Sequence, residues 1–184
     1  MKPSLTLLLL GLVAALLSSC AAPQPARPLA THPSVDLKKY AGHWHEVARL
    51  PMGFEKDCVA ATADYSLRPD GLVKVVNTCI RADGSQRQVS GRARVVDDRS
   101  NAVLEVIFEE WFSIFIPRAK QGNYFILAVT PDYQHALVGT PSRKFLWLLS
   151  RTPQMPPAQK ATFIEKARAL GYPVDRLILN HVHP

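Results

Sequence analysis

The chain has 184 residues, 47% of them hydrophobic and 20% charged, with 9 Gly and 15 Pro. That composition excludes a disordered or collagen-like chain and suits one domain with its own core. The formal net charge is +7, but the basic residues are scattered rather than blocked, which argues against nucleic acid as a partner.

In chain order, the first element is a targeting segment. A charged start, Met1-Lys2-Pro3, leads into the apolar run Leu7 to Leu17 and then small residues before Cys20. The run is short of the about 20 residues a membrane span needs, so 1–19 reads as a signal peptide. Leu17-Ser18-Ser19-Cys20 resembles the lipobox of bacterial lipoproteins. That resemblance implies cleavage before Cys20 and acylation of Cys20, which anchors the chain to a membrane. The competing reading is an ordinary secretory signal with a chance cysteine. Ala21 stands where an inner-membrane retention signal would place Asp, so the resemblance points to the outer membrane, facing the periplasm. Cleavage removes Lys2 and no acid, which lowers the net charge from +7 to +6.

Residues 20–39 follow as a lipidated Cys and a tether containing Pro23, Pro25, Pro28 and Pro33. The domain is expected over 40–180. Alternating apolar residues bounded by turn signals predict strands near 43–50, 59–67, 72–80, 87–96, 102–110, 123–130, 134–140 and 144–151. One helix is expected over about 157–170, with Phe163, Ile164, Ala167 and Leu170 on its apolar face and Gly171 at its C-cap. In the last strand Phe145, Trp147 and Leu149 share one face and Leu146 and Leu148 the other. One face should line an interior and the other should lie under the helix. The fold expected is therefore all-β with one C-terminal helix: an eight-stranded antiparallel up-and-down barrel.

In the oxidising compartment that the signal implies, Cys58 and Cys79 are the pair left to form a disulfide. Two separate buried thiols are the alternative. A four-residue turn at 68–71 would pair Leu67 with Leu72 and leave the two cysteines diagonal, about 7–8 Å apart in a regular sheet. The bond then requires a bulge or bend near Val59.

Three motifs identify a family. Gly42-His43-Trp44-His45-Glu46-Val47-Ala48-Arg49 resembles the lipocalin G-x-W motif, Thr130-Pro131-Asp132-Tyr133 the second lipocalin motif, and Leu146-Trp147-Leu148-Leu149-Ser150-Arg151-Thr152-Pro153 the third. Their order and separations resemble bacterial outer-membrane lipocalins of the apolipoprotein D-like branch. The resemblance implies that Arg151 packs on Trp44 to close one end of the barrel, and that the chain binds a lipid amphiphile, a fatty acid or a lysophospholipid, for storage or transport. The residues show no nucleophile elbow, no Ser/His/Asp set in readable order, no metal spacing and no Gly-rich phosphate loop, so no enzyme activity, catalytic residue, metal or cofactor is expected. Strand polarity puts Trp44 and Arg151 at one end, where the tether enters, and the loops 51–58, 81–86, 111–122 and 140–143 around a mouth at the other.

The expected ligand-binding residues are Phe54, Ala93, Val106, Phe108, Trp111, Tyr124, Ile126 and Val138. The run Trp111 to Ile116 has two readings: a strand edge packed on the barrel, or an apolar lip that meets lipid or a second copy of the chain in a homodimer. His43 and His45 share a strand face and are expected to be surface residues rather than metal ligands. Arg49 is expected to serve structure more than a ligand carboxylate. The alternatives to ligand binding are a lipid-acting enzyme on the same barrel and a structural envelope lipoprotein without a ligand.

Overall fold

The computed structural model describes residues 28–109 and 121–180. The signal segment 1–19, Cys20, and the Trp111 to Ile116 run lie outside the described residues. Eight antiparallel strands run in sequence: β1 (Gly42–Arg49), β2 (Cys58–Leu67), β3 (Val73–Arg81), β4 (Gln86–Val95), β5 (Val103–Phe108), β6 (Tyr124–Val129), β7 (His135–Gly139) and β8 (Leu146–Ser150). Each pairs with the next, and β1 pairs with both β2 and β8, so the sheet closes on itself as expected.

Closure gives the sheet an inside and an outside, and alternation fills each with its own core. Inside lie Trp44, Val75, Leu104, Val106, Ile126, Val138 and Leu149, among others. Outside, Leu127, Leu137, Leu146 and Leu148 pack under the helix α2 (Pro157–Ala169) through Phe163 and Ala167. The two faces of β8 thus divide as alternation predicts. The helix ends in a Schellman motif: Tyr172 N–H donates to Ala167 O and Gly171 N–H to Arg168 O, with Gly171 at φ +85°.

The Cys58–Cys79 disulfide forms, with Cα atoms 5.4 Å apart. Its route differs from the sequence expectation in one respect. The turn after β2 is one residue longer, so Leu67 pairs with Val73, and Cys79 lies opposite Ala61. In that register Cys58 would point away from Cys79, because faces alternate residue by residue. The expected irregularity is present: Val59 is an extra residue between the pairs Cys58–Arg81 and Ala60–Ile80. The bulge returns Cys58 to the face of Cys79.

One feature departs from the expected domain limits, and another adds a strand within them. The segment assigned to the tether is packed well before residue 40. His32 N–H donates to Ile126 O, Val35 N–H to Ser100 O, and Asp36 caps a short helix, α1 (Leu37–Tyr40). Val35 is fully buried. At the other end, β9 (Ile178–Leu179) pairs with Ala48 and Arg49, beyond the stretch of β1 that β2 covers.

Candidate functional site

The two ends of the barrel are built differently. At one end Trp44 is wholly buried, its indole N–H donates to Tyr40 O at 2.8 Å, and the Arg151 guanidinium lies 3.7 Å from its ring centre. Arg151 also donates to five backbone carbonyls, those of Lys39, Tyr40, Ala41, His43 and Tyr133. One side chain thereby ties α1, β1 and the β6–β7 turn together. Gly42 fits beside it because its φ is +103° and a Cβ there would stand 3.1 Å from Arg151 Nη1.

At the other end a cavity of about 310 Å³ opens. Its wall is mostly apolar or aromatic, including Val75, Val106, Phe108, Val138, Trp147 and Leu149, and Phe54, Pro141 and Phe145 stand near the opening. Tyr65 and Tyr124 also line it. The Tyr124 hydroxyl is hydrogen-bonded to Tyr40 at 2.7 Å and Tyr65 at 2.9 Å, and burial raises all three phenol pKa values. Neutral, mutually bonded hydroxyls let these rings act as apolar walls.

A lipocalin-like domain model matches residues 35–181. The chain belongs to the lipocalin family. It is 36% identical over 176 residues to the outer membrane lipoprotein Blc of Escherichia coli K12, covering 92% of this chain and 95% of that protein. It is 38% identical over 146 residues to temperature-induced lipocalin-1 of Arabidopsis thaliana, covering 78% of this chain and 77% of that protein. Apolipoprotein D of Rattus norvegicus is 39% identical over 131 residues, 66% of this chain and 64% of that protein. Insecticyanin from the tobacco hornworm, Manduca sexta, shares the fold, with TM-score 0.62 at 18% identity, covering 86% of this chain and 87% of that one.

Within this lipocalin barrel the expected ligand-binding residues separate into three groups. Phe54, Val106, Phe108, Tyr124 and Val138 line the cavity. Ala93 and Ile126 do not: both point inward, but they are buried within the interior core and absent from the cavity wall. Alternation specifies the face of a residue, not its height along the barrel, so the two readings look alike in sequence. Trp111 lies outside the described residues. His43 and His45 share a face as expected, with rings 4.7 Å apart, and His43 Nδ1 is 2.8 Å from Asp64 Oδ1.

The cavity also has a polar side that the sequence reading missed. Val47 is an extra residue in the β1–β8 register, so Glu46 and Arg49 come to the same side although three residues apart. Arg49, 2% exposed, lies 3.7 Å from Glu46 and 3.2 Å from Glu55, and donates to Asn180 Oδ1 and to the carbonyls of Glu55 and Cys58. It holds the mouth segment and the C-terminal strand to β1, a structural role. Burial first, then the charge of Glu55, pushes Glu46 well above the ordinary carboxylate range, against Asn180 and Arg49. Burial also raises Glu55, opposed by Arg49. Asn77 and Arg87 complete this side of the wall. Both were readable: Asn77 follows Val73 and Val75 in phase, and Arg87 precedes Val89 and Gly91 in phase.

Proposed function

We propose that this lipocalin binds a single-chain lipid amphiphile, a fatty acid or a lysophospholipid, and stores or carries it in the periplasm. The observation that supports this reading most is a mostly apolar cavity, with one polar side, closed at the Trp44 end and open at the Phe54 end. Lipocalin family members bind small lipophilic ligands. A cavity of this size takes an acyl chain, and each methylene removed from water contributes about 0.8 kcal/mol. About ten buried methylenes reach micromolar affinity without a specific polar contact.

In this reading Cys20 carries the lipid anchor and the protein resides at the outer membrane. The lipobox resemblance and the outer membrane lipoprotein relatives support that address. The tether is then shorter than 20–39, since the chain is bonded to the barrel from His32 onward.

Native mass spectrometry of the purified full chain is expected to find one amphiphile per protein. Ala63→Trp, which builds a large side chain on the cavity wall, should abolish it. An empty wild-type cavity that also fails to take up added oleate would sink the binding reading in favour of a structural lipoprotein. For the address, Cys20→Ser should lose acyl labelling and move from the membrane to the soluble periplasmic fraction.

A further inference from the structure

Two buried polar atoms in the cavity wall lack a partner. Asn77 Oδ1 and Arg87 Nε are both inaccessible to solvent and neither makes a hydrogen bond. A buried polar atom left unsatisfied is costly, so two of them on residues that line one cavity mark a place where a side-chain rotation would let each meet a polar partner. Their chemistry is complementary: a guanidinium N–H needs an acceptor, and an amide oxygen needs a donor.

Arg87 also makes no contact ion pair, although its charge reaches Glu55 from farther off and opposes the rise of that carboxyl's pKa. Its Nη2 donates to the Phe54 carbonyl at 2.6 Å, which anchors it beneath the mouth. No carboxylate lies within ion-pair distance of it among the described residues. The two acidic residues of the wall, Glu46 and Glu55, are the ones that flank Arg49 instead.

Register fixes the order of the two groups. Arg87 lies opposite Cys79, and Asn77 opposite Val89, so the pair is diagonal across β3 and β4 with Arg87 one step nearer the mouth. Such diagonal neighbours are about 7–8 Å apart at the backbone, and less at their side chains. Below them the wall is apolar, with Val75, Val106 and Phe108.

We propose that Asn77 and Arg87 form a head-group subsite for an amphiphile that carries a hydroxyl between its acyl chain and a terminal anion. The proposal rests on the amphiphile-binding reading and deepens it. The chain occupies the apolar floor; with a rotation of each side chain on binding, the hydroxyl donates to Asn77 Oδ1 and an anionic oxygen accepts from Arg87 at the mouth. A carboxylate with a nearby hydroxyl and a glycerophosphate with a free hydroxyl both meet this description; a plain fatty acid supplies the anion alone.

The test is displacement of a neutral fluorophore, N-phenyl-1-naphthylamine, from the full chain by four probes. These are palmitate, 3-hydroxypalmitate, 1-palmitoyl-lysophosphatidate and the uncharged monopalmitin. Arg87→Gln should weaken the three anions by about tenfold or more and monopalmitin by less than about twofold. Arg87→Lys, which keeps the charge, should recover much of the anion binding and guards against a folding defect. Asn77→Leu should weaken the three hydroxyl-bearing probes about fivefold and leave palmitate unchanged. Whichever of 3-hydroxypalmitate and lysophosphatidate binds wild type more tightly identifies the source of the anion. Equal losses for charged and uncharged probes, or no loss in either variant, would overturn the subsite. If wild type takes up neither the fluorophore nor any probe, the amphiphile-binding reading itself fails.

Discussion

The closed end and the mouth of the barrel handle buried polarity in opposite ways. At the closed end the buried donors are used: Trp44 donates to Tyr40 O, and Arg151 reaches five carbonyls across three elements. At the mouth, Arg49 Nε, Glu55 Oε2, Asn77 Oδ1 and Arg87 Nε are buried without a hydrogen bond, although Arg49 Nε and Glu55 Oε2 face each other at 3.2 Å as an ion pair. Polar groups are thus saturated with hydrogen bonds at one end, while at the other Arg49 is ion-paired and Asn77 and Arg87 keep an atom without a hydrogen bond. A barrel that must admit a ligand cannot saturate the groups that would meet it, because a satisfied group has nothing left to offer.

The largest expected effect breaks the closed end. Trp44→Ala should cost about 3–5 kcal/mol of stability in urea unfolding, from lost burial and the cavity left behind. A loss under about 1 kcal/mol would mean the Trp44–Arg151 stack is not a closure at all. Next, replacing Cys58 and Cys79 together with Ser should cost about 3 kcal/mol in the chain-entropy account. That loss probes the wall joining β2 and β3 rather than either end.

A pH series sharpens the contrast at the mouth. Glu46 holds its proton more tightly folded than unfolded, since burial raises its folded pKa. The folded state therefore binds more protons between the ordinary glutamate value of about 4.3 and that raised value, and Glu46 loses stability as pH rises through the window. Glu46→Gln removes this slope. Urea midpoints should show the variant gaining on wild type as pH climbs, with no further gain above the raised value. A difference that does not change with pH would contradict the assignment. The smallest effect is expected at the rim: Phe54 is 37% exposed, and Phe54→Ser should change stability by less than about 0.5 kcal/mol.

Much of this was legible from residue order. The strands announced themselves by alternation, and β8 displayed both of its destinations, Trp147 toward the cavity and Leu148 toward the helix. The Trp44–Arg151 contact was implied by the family resemblance, and strand polarity made it possible, since an even number of up-and-down strands returns the last to the end where the first began. The cavity wall was read in part. Phe108 and Tyr124 line it, while Ala93 and Ile126, on the same inward faces, belong to the core below. The packed strap from His32 to Asp36 was hidden because a Pro-rich segment looks the same whether it is free or hydrogen-bonded to a barrel.

By itself the sequence determined the fold, the two faces of most strands and the end that Trp44 and Arg151 share, because these depend on local periodicity and on polarity along the chain. Only the tertiary structure brought Glu46 and Arg49 together on the polar side of the mouth. Three extra residues, Val47, Val59 and Leu127, each shift a strand's facing by one position. Those shifts bring Glu46 alongside Arg49 and Cys58 onto the face of Cys79, and send Leu127 and Ala128 together to the outer core. A bulge is specified by how two strands fit against each other, so its place depends on contacts between residues far apart in the chain.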